Sequence, residues 1–129
     1  MKGILLVLLG IVIGISVSAI YTTTTGSNTM ELEHLPEPYY TVLWENEDIR
    51  IVEHRMEIGE SEPKHSHPKM FAYIMENSNV RVTEADGTVH EVALTKGEFQ
   101  ELSPWTHSID NIGETPLHTL LVELKSSAE

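Results

Sequence analysis

The sequence predicts an all-β domain, a sandwich or barrel, on three observations. Short segments rich in β-branched and aromatic residues follow one another at close spacing. Glycine, proline and asparagine turns separate them, and no stretch beyond Tyr39 carries a helical period. The first strand is expected over 39–44 ("YYTVLW"), with a polar turn through Asp48. The segment 49–58 alternates, with Val52, His54, Met56 and Ile58 on one face and Ile49, Ile51, Glu53 and Arg55 on the other. Gly59 ends it, and "ESEPKHSHP" (60–68) reads as a loop. An apolar run over 70–75 and a strand over 80–84 follow; Asp86-Gly87 then marks a hairpin into 88–94. Lys96-Gly97 turns the chain into 98–102, and further strands are expected over 107–111 and 117–124.

A chain of 129 residues is long enough to bury one core without covalent staples. It has no cysteine, which excludes thiolate zinc sites, disulfides and a thiol nucleophile. Twenty acidic residues face eight basic ones, a formal charge of −12. With no basic run to neutralise phosphates, nucleic acid is excluded as a partner, whereas a cation is attracted.

The first twenty residues differ in kind. One lysine precedes an uncharged apolar stretch, and Val17-Ser18-Ala19 fits the small-x-small rule for signal-peptidase cleavage. Residues 3–20 also suffice for an uncleaved membrane anchor. The expected organisation is a signal peptide or anchor over 1–19, a flexible linker over 20–37, the β-domain over 38–125 and a tail over 126–129. Either form exports the folded part, to the periplasm or to a membrane-anchored position outside the cytoplasm. Cleavage leaves a mature chain beginning at Ile20, which N-terminal sequencing reads directly; an anchor keeps Met1 in place.

Seven histidines in a small acidic chain invite a metal. His65 and His67 are two apart, so in an extended chain both imidazoles point to one face, ~6.6 Å apart along the strand. Forty residues on, Gly97 opens a strand, Pro104 ends it and His107 begins the next. A barrel can bring His107 against His65 and His67, and three neutral imidazoles suit zinc, iron(II), copper, nickel or manganese. Exposed loop histidines are the alternative at this point.

The spacing resembles that of the cupin superfamily. G-x5-H-x-H from Gly59 to His67 and G-x6-P-x2-H-x3-N from Gly97 to Asn111 are similar to its two signature motifs. "YIMEN" and the ending "NIGETPLHTLLVEL" are similar to other parts of small single-domain members. The resemblance implies a jelly-roll β-barrel with one divalent transition metal inside it, held by His65, His67 and His107. It also implies a homodimer and a small-molecule substrate or ligand. The family spans dioxygenases, isomerases, decarboxylases, lyases and binding proteins, so enzyme and non-catalytic binding module both stand.

One departure from the motif matters. The glutamate usually found three to five residues after the second histidine is replaced by Met70, Phe71 and Ala72, and the next carboxylate is Glu76. A three-histidine site, a site completed by Met70, Gln100 or Glu101, and a metal-free barrel are the outcomes. His54 and His118 are expected as core histidines, and His54 doubles as a candidate general base. Glu62 and Lys64 are expected as solvated charges, although Glu62 is also placed to orient a ligand imidazole. Trp105 is expected to wall a pocket or cover a rim, Phe71 and Tyr73 to line the core, and His34 and His90 to lie on the surface.

Overall fold

The computed structural model describes residues 34–125. The expected signal peptide or anchor, most of the linker and the tail lie outside the described residues. Among the described residues no helix is long and apolar enough to cross a membrane.

Among the described residues nine strands form two antiparallel sheets. They are β1 (Tyr40–Glu45), β2 (Ile49–Met56), β3 (His65–His67), β4 (Met70–Ile74), β5 (Ser78–Glu84), β6 (Val89–Leu94), β7 (Phe99–Leu102), β8 (Trp105–Asn111) and β9 (Leu117–Leu124). One sheet has the order β1-β2-β9-β4-β7 and the other β3-β8-β5-β6. This is the expected jelly roll. Eight strands fall where the alternation predicts them; β3 lies in what the sequence reads as loop.

Period-two alternation sets the inward face of each strand. On β2 it presents Arg50, Val52, His54 and Met56, as the pattern implies. On β9 it presents Leu117, Thr119, Leu121 and Glu123. That is the face opposite to the one the apolar pattern favours, because Leu120, Val122 and Leu124 point out of the barrel. His118 goes with them and bonds Glu53 at 2.9 Å instead of entering the core. Phe71 and Tyr73 likewise face outward on β4, where Phe71 stacks on Phe99.

The apolar interior divides into two clusters. Leu35, Tyr40, Val52, Met70, Ala72 and Leu121 form one; Met56, Val80, Val82, Ile109 and Leu117 form the other. Tyr39 and Trp105 pack against both. The end of β8 is clamped by Asn111, whose Nδ2 donates to the carbonyls of Thr115 at 2.9 Å and Glu57 at 3.2 Å. Its Oδ1 accepts from the Gly113 amide at 3.1 Å.

Gly113 runs so close to β5 that a Cβ there would stand 2.9 Å from the Asn79 backbone nitrogen. Backbone cannot give way as a flexible side chain does. Gly113→Ala is therefore expected to cost about 1–3 kcal/mol, read as a lower urea midpoint at unchanged slope.

Candidate metal centre

The β3–β8 ladder pairs His65 directly with His107 and His67 with Trp105. Three residues of strand turn His65 and His67 inward, while Ser66 faces away and bonds the Thr106 hydroxyl at 2.8 Å. The three histidines predicted from spacing are brought together, all buried, with one ring nitrogen of each within 4.8 Å of the others.

Hydrogen bonds decide which nitrogens are free. His65 Nδ1 lies 2.9 Å from the Pro63 carbonyl, and His67 Nδ1 lies 2.6 Å from Glu123 Oε1. Both partners only accept, so both Nδ1 atoms carry a proton and Nε2 is the nitrogen each ring can offer to an ion. Those Nε2 atoms are 2.9 Å apart. Both atoms point at the same small space between the rings, toward His107. His107 is only 1% exposed, yet neither of its nitrogens has a hydrogen-bond partner among the described residues.

Two carboxylates missed or misjudged from sequence complete the surroundings. Glu62 is a correction: it is 3% exposed, not a solvated charge. Its Oε1 stands 3.7 Å from His65 Nε2 and 3.9 Å from His107 Nε2, and its Oε2 accepts from His54 Nε2 at 3.1 Å. The reason is local. Ser61 bridges Asp110 whereas His65 pairs with His107, so the segment carries one residue more than β8 beside it. The extra residue breaks the alternation and lets Glu62 and His65, three apart, both face inward. His54 is thus the buried histidine with a partner that the sequence suggests.

Glu123 has no exposed surface. Besides holding His67, it accepts from Arg50 Nε at 2.5 Å, with Nη2 equally close but poorly aligned. Burial pushes its carboxyl up, but the hydrogen bonds and charges of His67 and Arg50 outweigh that and keep it below its ordinary value. Tyr40 stacks on His54, with its hydroxyl 3.2 Å from Glu62 Oε1 and 2.9 Å from His65 Nε2. Burial and then the Glu62 charge raise its pKa well above the usual phenol value, so the phenol keeps its proton.

The remaining candidates separate cleanly. Met70 is buried core, and Gln100 faces the barrel interior. Glu101 points outward to Lys69 at 2.6 Å, Glu76 pairs with Lys96, and Lys64 reaches the Ala85 carbonyl. His34 is exposed; His90 is exposed too, but at the cavity mouth. Trp105 walls the cavity with its ring centroid 3.6 Å from that of His107, fixed by Nε1 donating to Glu84 at 2.6 Å. The cavity measures ≈ 270 Å³ and opens from this cluster between the two sheets.

Burial, and then the neighbouring imidazoles His67, His65 and His54, push the His107 pKa from 6.5 down to about 2. Burial also lowers that of His65. The folded state therefore refuses protons that the unfolded chain takes up below 6.5. The resulting stability is complete above that pH and is lost as the pH falls. Metal-free protein is expected to lose about 2 kcal/mol between pH 6.5 and pH 5 from His107 alone. Urea unfolding at the two values measures this, and the loss is reduced in His107→Gln.

No family profile and no curated protein matches the sequence. Solved structures do. A cupin domain from Bordetella pertussis Tohama I aligns with 73% of this chain and 99% of its own, at TM-score 0.64 and 21% identity. An RmlC-like cupin family protein with a double-stranded β-helix fold, from Methanocaldococcus jannaschii, aligns at TM-score 0.54 and 18% identity, over 72% and 87% of the two chains. A cupin superfamily protein from Desulfitobacterium hafniense DCB-2 aligns at TM-score 0.52 and 15% identity, over 74% and 99%. With both sheets closing on one inward-facing histidine cluster, the fold of this chain is that of the cupin superfamily.

Proposed function

We propose that the chain is a metal-binding cupin of the cell envelope, holding one divalent transition metal on His65, His67 and His107 and acting on a small molecule in the barrel. The observation that carries this reading is the convergence of three buried imidazoles, with Nε2 of His65 and His67 2.9 Å apart. Two ring nitrogens directed at one another at that distance share either a proton or a metal cation. The distance corresponds to two adjacent nitrogens at about 90° on one ion with bonds of ~2.1 Å, the angle of octahedral sites. The partnerless nitrogens of His107 supply the third donor. Glu62, against two of the three histidines, is the carboxylate that replaces the one absent after His67.

A metal held there supplies Lewis-acid chemistry or, if it is iron or copper, redox chemistry. The chain's own part is to fix the imidazoles through Pro63 and Glu123, to keep a phenol proton beside the donors at Tyr40, and to exclude water with Trp105. Dioxygenase-like and non-redox lyase or isomerase reactions both fit these roles. A second reading, a non-catalytic protein that binds or senses a metal or ligand, is favoured by one contact. The Tyr40 hydroxyl crowds His65 Nε2 at 2.9 Å and, with Glu62, tends to close the coordination shell.

Export rests on the sequence of residues 1–20. Homodimer formation is supported by the outward apolar side chains of the five-stranded sheet, where Phe99 is 66% and Trp44 50% exposed.

Full-length protein loaded separately with iron(II), zinc, nickel, manganese or copper, then stripped of loose ions, is expected to retain about one equivalent of at least one of them. The His65→Ala, His67→Ala, His107→Ala triple variant retains none. Glu62→Gln is expected to bind ~10–100-fold more weakly, the usual loss when a group tuning a metal site is removed. No retention of any ion by the parent, or equal retention by the triple variant, overturns the reading.

A further inference from the structure

Three neutral imidazoles leave the charge of a bound dication unbalanced, and a buried cation with no anion on it is costly. Among the described residues two buried carboxylates stand beside the rings, and both are engaged. Glu123 holds Arg50 and Nδ1 of His67. Glu62 accepts from Tyr40 on one oxygen and from His54 on the other. Its Oε1 stands 3.7 Å from His65 Nε2 and 3.9 Å from His107 Nε2, beyond bonding reach of an ion seated on those nitrogens.

A closer oxygen belongs to Tyr40. This residue opens β1 and pairs across the sheet with His54. Its hydroxyl lies 2.9 Å from His65 Nε2, nearer than the 3.2 Å to Glu62. The same 2.9 Å separates Nε2 of His65 from Nε2 of His67. The phenol oxygen therefore stands to His65 as the second imidazole does, at the spacing of neighbouring donors on one ion with bonds of ~2.1 Å. Packing fixes it there. The Tyr40 ring stacks on His54 with centroids 4.2 Å apart and planes 9° apart, and it meets His65 and His67 at 5.2 Å and 5.6 Å. A tyrosine that only held Glu62 in place would need no contact with a donor nitrogen. Tyr39 is the contrast, since its hydroxyl donates to the Ser61 carbonyl at 2.9 Å.

We propose that Tyr40 is a ligand of the ion in this site, its phenolate oxygen supplying the negative charge that a motif without the usual glutamate does not. This deepens the proposed function and rests on its three-histidine site. In the metal-free chain burial and the Glu62 charge keep the phenol protonated. A coordinated cation inverts that preference, as it does for a thiol. The phenol O–H bond breaks, an oxygen–metal bond forms, and the proton crosses the existing hydrogen bond to Glu62 Oε1. The charge of Glu62 reaches the ion through the phenol.

The test titrates full-length protein with whichever of iron(II), zinc, nickel, manganese and copper(II) it retains. The near-ultraviolet difference spectrum is expected to show one tyrosine ionising per ion bound. Copper(II), and iron after oxidation to iron(III), are expected to add a visible phenolate charge-transfer band, with phenolate ring modes in resonance-Raman scattering excited there. Tyr40→Phe keeps the stacked ring; it is expected to lose these signals and to hold the ion roughly tenfold or more weakly. Tyr39→Phe is expected to keep both. The spectra of the parent stand on their own, so a Tyr40→Phe chain that fails to fold does not weaken the test. Ion binding with every tyrosine still protonated overturns this proposal alone, as do signals that persist in a folded Tyr40→Phe. A parent that retains no ion overturns the three-histidine reading and this one with it.

Discussion

The Glu123 carboxylate is the contact on which the rest of the site depends. It sits on the inward face of β9 with no exposed surface, between Arg50 of β2 and Nδ1 of His67 on β3. One oxygen serves each partner, so a single side chain joins the two sheets. Burying an anion is costly, and the cost is offset only while both partners are present. The same contact puts the proton of His67 on Nδ1 and turns the Nε2 lone pair into the barrel. The electrostatics of the fold and the preparation of the donor set are one interaction.

Around that anchor the interior is arranged by polarity. Polar groups cluster where β1, β2 and β9 meet β3 and β8: Tyr40, His54, Glu62, His65 and His67 lie within one network of close polar contacts, and the His107 ring packs against it. Beyond them the cavity runs into aliphatic wall. The network is ordered from outside inward, with Pro63 and Glu123 holding the rings and His54 and Tyr40 holding Glu62. His65, His67 and Glu62 are each held by a group behind them, which lets a small domain keep several buried ionisable side chains in fixed orientations.

Much of this was legible in the sequence, and the exceptions have physical causes. The turn glycines at 59, 87 and 97, all with positive φ in the structure, marked the strand boundaries correctly. With Pro104 they set the distance from His65 and His67 to His107. Glu62 escaped because a period-two reading assumes an unbroken strand, and one extra residue between Ser61 and His65 shifts its parity. Glu123 and Thr119 escaped because β9 is more apolar on its outer face than on its inner one. Ile49, Ile51, Phe71, Leu120 and Val122 share that outer face across three adjacent strands, so the hydrophobic pattern pointed the wrong way. A strand whose outside is greasier than its inside, as β9 is, defeats alternation as a guide to the core, and it does so where the polar interior matters most.

The briefest strand has the widest consequence. β3 has three residues, is paired on one side only, and carries two of the three clustered imidazoles. Slipping it by one residue along β8 would turn Ser66 inward and both histidines out, dispersing the cluster. An ion that needs all three rings binds the correct pairing and no other. Metal uptake would then act as a proofreading step in folding: the shortest strand is locked only in the register that gathers all three rings.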